Sequence, residues 1–306
     1  MSQKPSILLT GGSGLLAVNW FYSKRSDYAV YLGLNERQIQ PQGGNVLFLD
    51  YTSEQSLLIQ LESIAPCVVI HTAGLTNVEK CEDNPELAFL VNVELSSIVA
   101  KVTRKLDIPL VHISTDHLFS GMYSLVDEDE PINPINVYGR TKAQAERAVV
   151  DINPNALIIR TNFYAWGTSY RKSFSDHIIH SLRNHQTLHL FEDVYYTPIF
   201  AEKLIQTVHE LLDKKVKGIF HVVSDDRISK YEFGILIAEE FSLDKSLIHK
   251  SNLQSQIKLV KRPIDMSLSN RKVCDLLGRN LGTVKQHISQ LHKQEIEGKI
   301  QEIQLL

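Results

Sequence analysis

The chain has 306 residues, 43% hydrophobic and 22% charged, with a formal net charge of −3. That length fits one large or two modest domains and can bury a substantial core. The near-neutral balance gives no support to a nucleic-acid or membrane-surface role, since both need a basic patch, whereas an anionic small ligand held by local groups stays compatible.

The three cysteines, Cys67, Cys81 and Cys274, are odd in number and irregularly spaced, which argues against a disulfide framework or a zinc site. Residues 1–5 lead straight into an apolar strand without a secretory pattern. No apolar run approaches the length of a membrane span. The expected location is the cytoplasm.

In chain order, residues 7–9 form a short apolar run that ends at a glycine-rich turn, and a helical stretch follows to about residue 24. Residues 29–34 and 46–49 read as strands, and 53–64 as a helix. Strand 68–70 precedes a long amphipathic helix over 85–106. Strand 110–113, helix 136–150 and strand 156–159 follow. Short β-branched runs separated by helices predict an α/β fold, a Rossmann-type doubly wound parallel sheet. Beyond residue 160 the pattern loosens. Helices are expected over 170–184, 201–212 and 230–241, and a strand over 218–223. The predicted organisation is a dinucleotide-binding domain over 1–160, a returning segment at about 190–224, and a smaller C-terminal substrate-binding lobe within 161–306.

The first strand runs into Thr10-Gly11-Gly12-Ser13-Gly14-Leu15-Leu16-Ala17. Gly11 and Gly14 supply the tight turn and close backbone approach that a pyrophosphate needs, and Ala17 is small where the helix packs on the strand. The opening helical residues Leu15 and Leu16 offer unpaired N–H groups to the phosphates. The alternative is a glycine-rich turn without a ligand. The second strand ends in Asn35-Glu36-Arg37: an acidic residue there suits the ribose hydroxyls of NAD, while Arg37 better fits the extra phosphate of NADP. Asp50 and Tyr51 follow the third strand, where a carboxylate can accept from the adenine amino group or cap the next helix in competition with Thr52 and Ser53. Thr72, Ala73 and Gly74, after the fourth strand, are small enough for the chain to pass under a cofactor.

The fifth strand ends in Ser114-Thr115-Asp116. Tyr138 and Lys142 lie four residues apart at the start of the following helix, so they share a face. Carbonyl reduction needs a hydride donor and a proton donor. Free tyrosine is a poor acid–base catalyst at neutral pH, and a neighbouring ammonium is expected to lower its pKa. Thr115 can hold and polarise the substrate oxygen. The twelve histidines include no HExxH and no paired Cys/His spacing, so no metal is expected. Residues 127–130 read as a solvated acidic loop, and 281–291 as an ordinary amphipathic helix rather than a DNA-reading one.

These stretches together, with Asn84-Pro85-Glu86, Asn92, residues 114–121, Glu130-Pro131, residues 134–142, Arg160-Thr161, residues 218–221 and Arg262-Pro263-x-Asp265 with Leu268, resemble an extended short-chain dehydrogenase/reductase. More narrowly, the chain resembles the dTDP-4-dehydrorhamnose reductase family, which also includes the regulatory β subunit of methionine adenosyltransferase. The resemblance implies NAD(P)H-dependent reduction of the C4 keto group of a nucleotide-linked 4-keto-6-deoxy sugar. Tyr138 would give the proton, Lys142 would also hold the nicotinamide ribose, and Thr115 would bind the keto oxygen. Asn92 would join the cofactor site. Thr76, His117 and Phe163 would lie by the sugar, and Arg262 by the diphosphate, which suits a guanidinium. A homodimer is compatible with the family.

The chain departs from the family pattern at His117, usually tyrosine, near Phe163, usually tryptophan, at 195–198 and over 282–306. These departures leave the substrate open. Gly33 and Lys230-Tyr231-Glu232 resemble the regulatory branch as much as the reductases. The alternatives are therefore a cofactor-binding regulatory subunit without turnover, or an epimerase or dehydratase on the same scaffold.

Overall fold

Alternation of side chains along each short apolar strand places two cores on opposite faces of one sheet. The structure, a computed structural model, describes residues 4–51, 53–256 and 259–306. Chain order begins β1 (Ser6–Thr10), α1 (Leu15–Lys24), β2 (Ala29–Leu34), β3 (Asn45–Phe48), α2 (Glu54–Ile64) and β4 (Val68–His71). It continues through α3 (Val78–Asp83), α4 (Pro85–Phe89), α5 (Leu95–Lys105), β5 (Leu110–Ile113), α6 (Val137–Ile152) and β6 (Leu157–Arg160). Ile7, Leu9, Val68 and Ile70 face one core with Trp20 and Phe21, while Leu8 and Val69 face the other with Leu57 and Val102.

The second half holds β7 (Phe163–Tyr164), α7 (Phe174–Arg183), β8 (Leu188–Phe191), β9 (Tyr195–Tyr196), β10 (Ile199–Phe200), α8 (Ala201–Asp213) and β11 (Gly218–His221). The chain ends with β12 (Ile228–Ser229), α9 (Lys230–Glu240), β13 (Ile248–Ser251), α10 (Arg271–Leu277), α11 (Val284–Ile296) and α12 (Gln301–Gln304). The main sheet has seven strands in the order β11-β6-β5-β4-β1-β2-β3, every pair parallel. The chain runs outward from β1 through β2 and β3, then crosses back to β4. The switch point between β1 and β4 opens a crevice at the carboxyl ends of the strands, where ligands bind in such sheets.

Two expectations change. The helix expected over 85–106 is divided into α4, a π-helical turn at Leu90–Glu94 and α5. The wider turn accommodates Asn92, whose buried side chain bonds inward to Leu75 and Thr141. Within the segment expected to return over 190–224, β11 joins the main sheet and α8 packs on α1, but β8 pairs with β13 in a separate small sheet. The chain end ties back to α1, where Arg25 forms a two-pronged contact with Glu302 at 2.6 and 2.8 Å. Among the described residues, no helix is long and apolar enough to cross a membrane.

Candidate active site

Backbone demands explain the glycines after β1. Gly11 has φ of +65°, and a Cβ there would stand 2.8 Å from the Cα of Ala73 in the loop after β4. Gly14 donates its N–H to the Gly11 carbonyl at 2.8 Å and precedes α1 without any side-chain cap. The N–H groups of Leu15 and Leu16 at the helix start are therefore free of a side-chain cap, as a phosphate site requires. Gly12, which the Gly11-x-x-Gly14 spacing left without a role, is as constrained: its Cβ would come within 2.8 Å of the Leu32 Cβ on β2. The doubled glycine was the available signal. Gly12→Val is expected to push the loop away from β2 and weaken dinucleotide affinity at least about tenfold, near 1.4 kcal/mol; a fluorescence titration with NADPH measures this, and unchanged affinity would refute it.

Arg37 lies with its guanidinium 4.3 Å from the centroid of the Tyr170 ring, and the Tyr170 hydroxyl donates to the Ser13 carbonyl at 2.9 Å. Tyr170, from the second half of the chain, thus carries Arg37 beside the glycine turn. Asn35 and Arg37 are both exposed there. Asp50 does not cap α2: Ser53 does, accepting from the Ser56 N–H at 3.0 Å, while Thr52 lies outside the described residues. The half-buried Tyr51 packs against the second core. Thr72 donates its hydroxyl to the Thr10 carbonyl at 2.6 Å, fixing the loop through Ala73 and Gly74. Asn92 brackets Leu75 in that loop, accepting from its N–H at 2.8 Å and donating to its carbonyl at 3.1 Å. Its amide is engaged with protein, so it acts on the crevice by positioning the loop.

Asn136 caps α6 by accepting from the Gly139 N–H at 2.8 Å, which starts the helix where Tyr138 and Lys142 point toward the end of β5. A Cβ on Gly139 would stand 2.4 Å from the His117 carbonyl oxygen, so glycine lets α6 press against that loop. Lys142 donates to the Ile113 carbonyl at 2.8 Å; burial lowers its pKa to about 8, partly offset by Glu146. Burial pushes the Tyr138 hydroxyl well up, opposed by its hydrogen bond with Thr115 and reinforced by Asp116 and Cys81. This departs from the expectation that Lys142 lowers it. Desolvation dominates in the closed site, leaving Tyr138 protonated at neutral pH, the form a proton donor requires. The Thr115 hydroxyl donates to Asp116 Oδ1 at 3.1 Å, and Asp116 Oδ2 accepts from Asn162 at 2.6 Å. His117 meets the Tyr138 ring edge-on at 5.3 Å between centroids. Burial, with Lys230 and Arg262, pushes its pKa down against the pull of Asp116, so its imidazole is neutral at pH 7.

Next to this cluster is a cavity of about 590 Å³, lined by His117, Asn162, Phe174, Lys230, Arg262 and Met266 among others. Arg262 forms an ion pair with Glu79, and its buried Nε has no hydrogen-bond partner among the described residues. Two residues expected by the sugar lie outside this lining. Phe163 is half-buried against the main core, because successive residues alternate sides and Asn162 takes the cavity side. The Thr76 hydroxyl is held by Arg171 at 3.1 Å. The spacing of motifs pointed to neither Asn162 nor Lys230, because each reaches the cavity through tertiary folding alone.

The fold and the Tyr138/Lys142 face define the class, an extended short-chain dehydrogenase/reductase. The model of the RmlD substrate binding domain family matches residues 5–296, and the chain belongs to this family. The probable low-salt glycan biosynthesis reductase Agl14 of Haloferax volcanii is 35% identical over 248 residues, 79% of this chain and 82% of that one. The dTDP-4-dehydrorhamnose reductase of Salmonella typhimurium is 30% identical over 197 residues, 62% of this chain and 65% of that one. A hypothetical dTDP-4-dehydrorhamnose reductase from Sulfolobus tokodaii superimposes with a TM-score of 0.79 at 30% identity, covering 91% of this chain and 97% of its own. Methionine adenosyltransferase 2 subunit beta of Xenopus tropicalis is also a relative, 28% identical over 247 residues, 78% of this chain and 73% of that one.

Proposed function

We propose that this protein reduces the C4 keto group of a nucleotide-linked 4-keto-6-deoxy sugar with NAD(P)H, a step of deoxysugar biosynthesis. The observation that carries the reading is the buried Tyr138 ring, edge-on to His117 and on the same face of α6 as the buried Lys142, beside the cavity lined by His117 and Asn162. Relatives named as dTDP-4-dehydrorhamnose reductases support the substrate class. The glycine cradle fits a dinucleotide: its backbone tolerates no Cβ at Gly11 or Gly12, and the start of α1 lacks a side-chain cap. Gly11, Gly14, Leu15 and Leu16 would hold the pyrophosphate, and Asn35, Arg37, Asp50 and Tyr51 the adenosine half. Thr72, Ala73 and Gly74 would line the path to the nicotinamide, and Lys142 would hold its ribose.

The reduced nicotinamide, when bound, supplies hydride to the keto carbon. Thr115 holds the keto oxygen, and Tyr138 gives its proton to the oxygen as negative charge develops there. Lys142, charged at neutral pH, stabilises the phenolate left behind. Residues 1–160 with the returning β11 serve as the NAD(P) domain, and most of 161–306 as the substrate lobe.

Purified protein with NADPH or NADH and a panel of nucleotide-linked 4-keto-6-deoxy sugars, followed at the reduced-nicotinamide absorbance, tests the reading. Turnover establishes the reductase. Tight cofactor binding without turnover on any sugar would overturn it and favour the regulatory role of the methionine adenosyltransferase relative, to be tested by co-purification. Arg37→Ala addresses the coenzyme: if the guanidinium on Tyr170 takes a 2′-phosphate, NADPH affinity falls about tenfold or more and NADH affinity stays within about twofold. Parallel losses for both coenzymes would show that Arg37 does not read the 2′-phosphate.

A further inference from the structure

Charge inside the substrate cavity is unbalanced. Among the described residues, its lining contains two basic side chains, Lys230 and Arg262, and no carboxylate. Arg262 is already committed to Glu79. Lys230 differs: among the described residues its ammonium makes no hydrogen bond and no ion pair, and its close neighbours are two aromatic faces, Tyr196 at 3.3 Å and Phe174 at 4.9 Å to the ring centroids. Burial lowers its pKa to about 8, with Asp116 favouring the charged form and Arg262 opposing it as charges at a distance, so the ammonium stays mostly charged at neutral pH. An ammonium kept half out of water and left without an anionic partner costs stability unless a ligand supplies that partner. The aromatic faces hold the charge in place without neutralising it.

We infer that Lys230 is the principal cation for the diphosphate linker of the substrate, with Arg262 held back by Glu79 as a secondary contact. The inference rests on the sugar-nucleotide reading above. The diphosphate is the anionic part common to all such substrates, and the cavity holds one cation with no protein anion to satisfy it. Lys230 opens α9, and Ser229 before it caps that helix through the Glu232 backbone. The capping box therefore fixes where the ammonium enters the cavity. A lysine is a compact point charge that follows a flexible phosphate group, unlike the fixed fork of arginine.

The test is calorimetric titration of the full chain, loaded with NADP, with thymidine, uridine and guanosine diphosphates and with the uncharged nucleosides. Wild type should bind at least one diphosphate. Lys230→Met should weaken that binding about 10- to 100-fold, Lys230→Arg should restore most of it, and nucleoside binding should not change. In turnover, Lys230→Met should raise KM by a similar factor with kcat within about threefold, whereas damage to the fold would lower NADP affinity as well. Lys230→Gln provides a second neutral variant if methionine lowers the melting temperature. Diphosphate binding by wild type that survives Lys230→Met and Lys230→Gln unchanged would overturn the role of Lys230 and leave the proposed function standing. If wild type binds no nucleoside diphosphate at all, the sugar-nucleotide reading itself fails.

Discussion

Tyr138→Phe is expected to lower kcat by about 10²- to 10⁴-fold, the usual contribution of a positioned general acid, while the affinities for NAD(P)H and sugar nucleotide stay within about twofold. Phenylalanine keeps the ring that His117 meets edge-on, so the cavity wall is preserved. What disappears is the buried hydroxyl, whose pKa desolvation raises. Lys142 is not expected to replace it, because the bond to the Ile113 carbonyl anchors its ammonium at the end of β5. Single-turnover absorbance with saturating coenzyme isolates the chemical step. A kcat within tenfold of wild type would mean that the proton comes from elsewhere, and His117 would be the next group to substitute.

Glu146→Ala is expected to be strongly destabilising, costing about 3–5 kcal/mol in urea unfolding, because it strands a buried guanidinium. Arg160 and Glu146 are almost wholly enclosed, 2% and 3% exposed. The Arg160 Nε donates to both carboxylate oxygens at 3.1 and 3.2 Å, and a terminal nitrogen donates to Oε2 at 2.9 Å. His221 at 3.4 Å and the Phe119 ring cannot neutralise the charge, His221 being itself held neutral by burial, and Glu128 acts on Arg160 only as a charge at a distance, without an ion pair. The pair joins α6 to β6, so its loss also loosens the helix that carries Tyr138 and Lys142. Replacing both members with methionine should recover most of the lost stability, since an intact buried ion pair contributes little over well-packed apolar groups. A single-variant cost below about 1 kcal/mol would show that water reaches the guanidinium.

The strands around the switch point were legible because each is a short β-branched run, and the glycine turn because its spacing is local. The division of the helix expected over 85–106 was not. Its apolar period is continuous, and the π-helical turn arises from the inward bonds of Asn92 to Leu75 and Thr141, both distant in the chain. The same limit applied to Asp50. Three polar residues competed to cap α2, and backbone direction, which composition does not encode, gave the position to Ser53. Tyr170, which stacks on Arg37, lies in a stretch that read only as helical.

By itself the sequence determined the parallel α/β order, the turn that suits a pyrophosphate, and the shared face of Tyr138 and Lys142, because each depends on residues within a turn or two of one another. Tertiary structure alone decided the upward shift of the Tyr138 pKa, the pairing of Arg262 with Glu79 and the entry of Lys230 into the cavity. The physical reason is that desolvation and charge balance belong to an enclosed volume. The groups that line that volume come from α7, β8, α9 and the loops after β5, β6 and β13, and only folding brings them together.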